Sequence, residues 1–199
     1  MIILSITLYT PKKLQGFKMK KLTSMSLIIA LSSVLMADAP NSPVTVQKAE
    51  LKTSQMDKNG IVTKESFVDV KTTIDRLEKV ATKKGINVFL RINHAQNSRN
   101  AGAKDVLDSE LLIFGKPDVG LKMLSKDPMA GLDLPLKILA YQAKDGKTYI
   151  SYRDTAFLPN IYSLEGCKVN AKMSMMIDKL SSVITKTPED FKAFMNKGK

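Results

Sequence analysis

The stretch Glu110-Leu111-Leu112-Ile113-Phe114-Gly115-Lys116-Pro117 constrains this chain more than any other. Four consecutive apolar residues stand between a carboxylate and a Gly-Lys-Pro stop. That pattern reads as a short strand buried on both faces, with Ile113 central to it, ended by a turn. Proline fixes its own φ and donates no N–H, so Pro117 suits the first turn of a helix. The stretch predicts strand, tight turn, helix.

The flanking segments supply further strands and helices. Gly60–Lys64 reads as a first strand. Ser66 is then an N-cap, with Asp69 three positions on, for a helix over Phe67–Lys84. Phe67, Val70, Ile74, Leu77 and Ala81 recur there at helical spacing, Val80 lies beside the stripe, and Gly85 stops it. Ile86–Ile92 reads as a second strand, with Val88, Leu90 and Ile92 pointing one way. Gln96–Ala103 is a short helix or turn, Ser109–Phe114 the third strand, and Pro117–Leu124 a short helix. Leu136–Gln142 and Thr148–Tyr152 form a hairpin around Asp145-Gly146. The tail is helical: Met173, Met176, Ile177 and Leu180 share a face. Thr187-Pro188-Glu189-Asp190 then starts a last helix that Phe191, Phe194 and Met195 would dock. One explicit hairpin, with helices between the other strands, predicts an α+β domain on a mainly antiparallel sheet.

The amino terminus reads differently. Lys20 and Lys21 precede an apolar run from Leu27 to Met36, followed by Ala37-Asp38-Ala39-Pro40. Positive start, short apolar core and small residue are the parts of a secretory signal. Residues 1–37 are therefore expected to be an upstream extension and signal peptide, cleaved near Ala37-Asp38. Residues 38–59 would be a linker or edge extension, and 60–199 an α+β domain with a helical tail. The mature chain would be periplasmic or secreted, with no stable membrane span. The formal net charge of +12 falls to +7 without the five leader lysines. The remaining lysines are scattered and lack interleaved aromatics, which argues against nucleic acid as a partner. Cys167 is the one cysteine, so an intramolecular disulfide and any Cys-x-x-Cys motif are excluded.

Four blocks in order carry a family resemblance. Asn87–Ala95 (NVFLRINHA) resembles the VFxRIDHA stretch of the domain-of-unknown-function family 302. Glu110–Pro117 resembles its ELLIFGNP block, Leu132–Lys137 its LDLPLK block, and Asp145-Gly146 with Tyr149–Asp154 its DG…VSYND block. Asn93, Lys116 and Arg153 depart from the usual Asp, Asn and Asn. The resemblance implies a compact α+β domain similar to the TATA-binding-protein-like arrangement, an antiparallel sheet with helices on one face. It implies no particular activity and leaves any cofactor unknown.

Six residues stand as ligand-binding candidates. His94, the one histidine, ends a strand and could serve as a base or ligand. Glu110, Asp133 and Asp154 could pair with it. Lys116 before a helix could hold an anion, and Tyr152 could face the same cleft. Cys167 with Met173, Met175 and Met176 offers soft metal ligands, although helical methionines usually fill cores. The expected function is a non-enzymatic binding or interaction module for a small ligand or a protein partner, a homodimer included. The alternatives are a hydrolase- or lyase-like enzyme using His94 with a carboxylate, or a metal- or haem-associated accessory protein.

Overall fold

A computed structural model describes residues 55–197. The expected leader, its cleavage point and most of the 38–59 linker lie outside the described residues. The fold is α+β, built on a five-stranded, wholly antiparallel sheet. Its strands are β1 (Ile61–Ser66), β2 (Asn87–Asn93), β3 (Ser109–Gly115), β4 (Leu136–Gln142) and β5 (Thr148–Arg153), in spatial order β1-β5-β4-β3-β2. The helices are α1 (Val70–Lys83), α2 (His94–Asn100), α3 (Pro117–Leu124), α4 (Lys168–Ile184) and α5 (Pro188–Asn196). Short 3-10 helices cover Pro128–Leu132 and Thr155–Asn160.

Register fixes which side chains share a face, because strand side chains alternate. The row Lys64, Ile150, Ala140, Glu110, Asn93 runs across the sheet, and Arg91 lies beside Leu112 on the same side. That side carries α1 and α4. Ile74, Leu77, Val80 and Ala81 of α1, and Ile177, Leu180 and Ile184 of α4, are buried with Leu112, Phe114, Ile138 and Ile150. Lys64 crosses from the sheet to α4, donating to Asp178 Oδ1 at 2.7 Å and to the hydroxyls of Ser181 and Ser182. The opposite side holds the row Thr63, Ser151, Leu139, Leu111, Ile92 and the pairs Lys137–Ile113–Leu90.

Several sequence expectations are corrected. β3 is buried on one face only: Leu112 and Phe114 are fully buried, whereas Leu111 and Ile113 are half-buried on the open side. An apolar run thus conceals an alternating strand. Asp69, not Ser66, caps α1, accepting from the Thr72 N–H at 2.8 Å. Ser66 still belongs to β1, its hydroxyl bonded to Thr73, and Phe67 stands exposed before the helix. Val88 and Leu90 do not point the same way. A bulge at Phe89 pairs Val88 with Phe114 and Leu90 with Ile113, on opposite faces. Gly85, at φ +62°, ends α1 as expected. The hairpin turns at Asp145-Gly146, where only Gly146 has positive φ.

Candidate functional site

The structure disperses the six candidates. His94 is exposed at the start of α2, whose N-cap is Asn93. No hydrogen bond or ion pair among the described residues joins it to Glu110, Asp133 or Asp154. Glu110 is buried and engaged. Arg91 Nε and Nη2 reach its Oε2 at 2.7 and 2.5 Å, and Asn93 donates to its Oε1 at 2.8 Å. Asp154 caps the 3-10 helix after β5, accepting from the Ala156 N–H. Tyr152 belongs to the core. Burial pushes its phenol up to about 12, and Ser181 Oγ lies 3.4 Å from its oxygen. Asp133 accepts from Arg153 Nε at 2.9 Å and from the Tyr162 hydroxyl at 2.7 Å. The bond to Asp133 raises the Tyr162 pKa above its ordinary value. Burial lowers the Lys137 pKa, against the pull of Asp133. These groups clamp the start of β4 to the end of β5. Among the described residues no cluster of three or more His, Cys, Asp or Glu could hold a metal ion. Cys167 is buried ahead of α4, its thiol 3.9 Å from the Lys122 carbonyl.

Lys116 leads elsewhere. It lines an open groove of about 1040 Å³ at the end of the sheet, a size typical of small-molecule sites or slightly above. The groove opens between α3 and the first half of α4. The bulge in β2 turns Phe89 into it, and Phe89 remains 48% exposed. Gly115, closing β3, leaves its floor without a side chain, with Pro135 and Phe89 packed on either side of that gap. Leu121 and Leu124 form the α3 wall, Met173 and Met176 the α4 wall. α3 can serve both core and groove because its apolar residues are not confined to one stripe. Met123 is fully buried, whereas Leu121 is 61% exposed and Leu124 37%.

The walls are held in place. Lys126 Nζ donates to the Glu165 carbonyl at 2.9 Å, tying the end of α3 to the segment before α4. Val119 and Val169 pack on the core from the two sides. The polar lining consists of four lysines, Lys84, Lys116, Lys122 and Lys172. Among the described residues no carboxylate, imidazole, hydroxyl or thiol side chain joins them.

Sequence reasoning found Lys116, named Met173 and Met176 only as soft metal ligands, and missed the remainder. Phe89 reads as an ordinary strand aromatic until the bulge is seen. The available signal was α3, too apolar around its circumference for a helix packed along one stripe.

Comparisons with known proteins agree with the fold. The fluoride-specific ion channel FluC 1 of Brucella suis biovar 1 (strain 1330) is 37% identical over 106 residues, 53% of this chain and 41% of that protein. FluC 1 of Brucella abortus biovar 1 (strain 9-941) matches at 37% over 106 residues, 39% of its length. The chain thus spans about two fifths of the length of these curated relatives. Among the described residues no helix is long and apolar enough to cross a membrane. The crystal structure of an uncharacterized conserved DUF302 protein from Bacillus stearothermophilus superposes with a TM-score of 0.51 at 19% identity, covering 63% of this chain and 95% of that one. That likeness is one of fold. The family model described as domain of unknown function DUF302 matches residues 62–180, and the chain belongs to that family.

Proposed function

We propose that this chain is a non-enzymatic binding module that takes an apolar small molecule into the groove between α3 and α4. One observation carries the reading. The groove is lined by apolar side chains and solvent-exposed lysines alone, so it offers surface to bury and, among the described residues, no carboxylate, imidazole, hydroxyl or thiol side chain to pair with a lysine as acid, base or nucleophile. An enzyme built on His94 would need a carboxylate beside it, and Glu110, Asp133 and Asp154 are each engaged elsewhere. The match to part of two proteins named as channels supports a domain that can be one component of a larger protein; it does not bring a channel's activity here.

A second reading, a protein-interaction module, draws on the open sheet face. There Leu90 is 52% exposed beside Ile92, Leu111, Ile113 and Leu139, and a second copy could cover them.

Gly120 provides the test of the groove. It lines the groove from α3, and a Cβ built on it meets nothing within 4 Å. Gly120→Leu should therefore fill the groove while improving the helix by about 0.5–1 kcal/mol. The wild-type chain should enhance the fluorescence of the neutral probe N-phenyl-1-naphthylamine. Gly120→Leu should melt at the same temperature or higher and lose at least tenfold in probe affinity. Equal probe binding by both chains would place the binding surface elsewhere.

A further inference from the structure

We infer that the groove's ligand is a long-chain aliphatic carboxylate, a fatty-acid-like anion, with its chain along the apolar floor and its head among the rim lysines. The inference rests on the binding reading above and adds the ligand's charge and shape.

The charge argument starts from the lysines. Lys84 follows α1, Lys116 and Lys122 belong to the α3 segment, and Lys172 lies on α4, so three separate elements bring positive charge to one rim. None of the four makes an ion pair among the described residues. Among the other described lysines Lys64, Lys71 and Lys147 pair with carboxylates and most do not, so what sets these four apart is their convergence on one rim with no acid in the lining. A rim of one sign around low-dielectric walls focuses the field and favours an anion. An exposed ammonium is also a weakly directional partner, which suits a head group held at the mouth rather than buried in a fixed fork.

The shape argument concerns length. A second hollow of about 640 Å³ adjoins the first and shares Lys84, Lys172 and Met176 with it. It continues over α4 toward Val183 and Phe194. Its one acid, Asp178, is already paired with Lys64 at 2.7 Å. The two hollows together form an extended apolar path flanked by lysines. A compact ring would use one of them; a flexible chain can use both. The methionines on the shared wall are unbranched and adaptable, as an acyl chain of variable conformation requires.

The experiment displaces N-phenyl-1-naphthylamine from the full chain with decanoate, 1-decanol and dodecanoate, each below its aggregation limit, at low and high salt. Decanoate should compete about tenfold better than decanol at low salt, and the advantage should shrink at high salt, because the lysines are solvated. Dodecanoate should compete about tenfold better than decanoate, since each buried methylene contributes roughly fourfold. Lys84→Glu/Lys172→Glu should lose the preference for decanoate over decanol, each competitor being measured against the variant's own probe affinity.

The outcomes separate. If the probe binds in the groove but decanoate is no better than decanol, the anion inference fails and the binding module stands. If the probe does not bind at all, both fall together. If probe binding is lost in proportion to self-association as the protein is concentrated, the groove is filled by a second copy, and the fatty-acid-like ligand is overturned.

Discussion

Arg91 is held by carboxylates from two elements at once. Its guanidinium lies 2.6 Å from Asp75 of α1 and 2.5 Å from Glu110 of β3, with Glu78 at 3.5 Å. Burial alone would raise the Asp75 pKa. The hydrogen bonds and charges of Lys71 and Arg91 outweigh it, and the carboxyl sits below its ordinary value. Glu110 is 6% exposed, so losing it leaves the Asn93 amide without its acceptor and the Arg91 guanidinium with Asp75 and Glu78 alone. Breaking a fully buried pair costs about 3–5 kcal/mol; Arg91 is partly wet, so Glu110→Ala should cost about 2–3 kcal/mol. That corresponds to a fall in melting temperature of roughly 5–10 °C. Arg91→Met/Glu110→Leu should recover part of the loss, because no charge is left orphaned. An unchanged melting curve for Glu110→Ala would show the network to be idle. The sequence shows an acid at a strand end and a histidine sixteen positions earlier, and both types invite a catalytic reading. What it does not show is register. Pairing of Asn93 with Glu110, and of Arg91 with Leu112, puts the Arg91 fork over the carboxylate and leaves His94 beyond the strand.

At the scale of elements, the two faces of β3 separate a structural from a surface role. Phe114 is fully buried among Leu136, Ile138 and the α1 stripe, so Phe114→Asp should abolish the cooperative transition. An unpaired buried carboxylate costs several kcal/mol, against a total stability of about 5–15 kcal/mol. Ile113 lies on the open face directly opposite Lys137. Ile113→Asp should fold, with a change within about 1 kcal/mol, since the new carboxylate meets a cross-strand ammonium. The same variant examines the second functional reading: if a second copy covers the open face, Ile113→Asp should sediment as a monomer where the wild type is a dimer. Failure of the Ile113→Asp chain to fold would mean that the face is not open. The elements themselves were legible. α3 begins at Pro117 and ends at Leu124 as the proline and the following stop predict, and Thr187 caps α5. The missed features share one cause. Ser66 lost the cap to Asp69, and Val88 and Leu90 parted, because a strand ran two residues longer or bulged by one. Such changes follow from pairing with distant strands and leave no local trace.

For the molecule as a whole, the sequence made the α+β sheet legible through its hairpin and strand-turn-helix block, while the groove arises only when β2, β3, α3 and α4 meet. A binding module's role also depends on where it works, and the amino-terminal pattern bears on that. Lys20 and Lys21 precede a run of about ten mainly apolar residues, Leu27 to Met36. A membrane-spanning helix needs about 20 residues, so that run fits the apolar core of a cleaved signal better than a permanent anchor. We propose that the chain is exported and cut near Ala37-Asp38. Cleavage would also remove all five leader lysines, lowering the net charge from +12 to +7. The check is to fractionate the native host and sequence the amino terminus of the protein recovered from the cell envelope or medium. Mature protein beginning within about two residues of Asp38 is the expected result. Protein recovered from the cytosol and still beginning at Met1 or Met19 would overturn export.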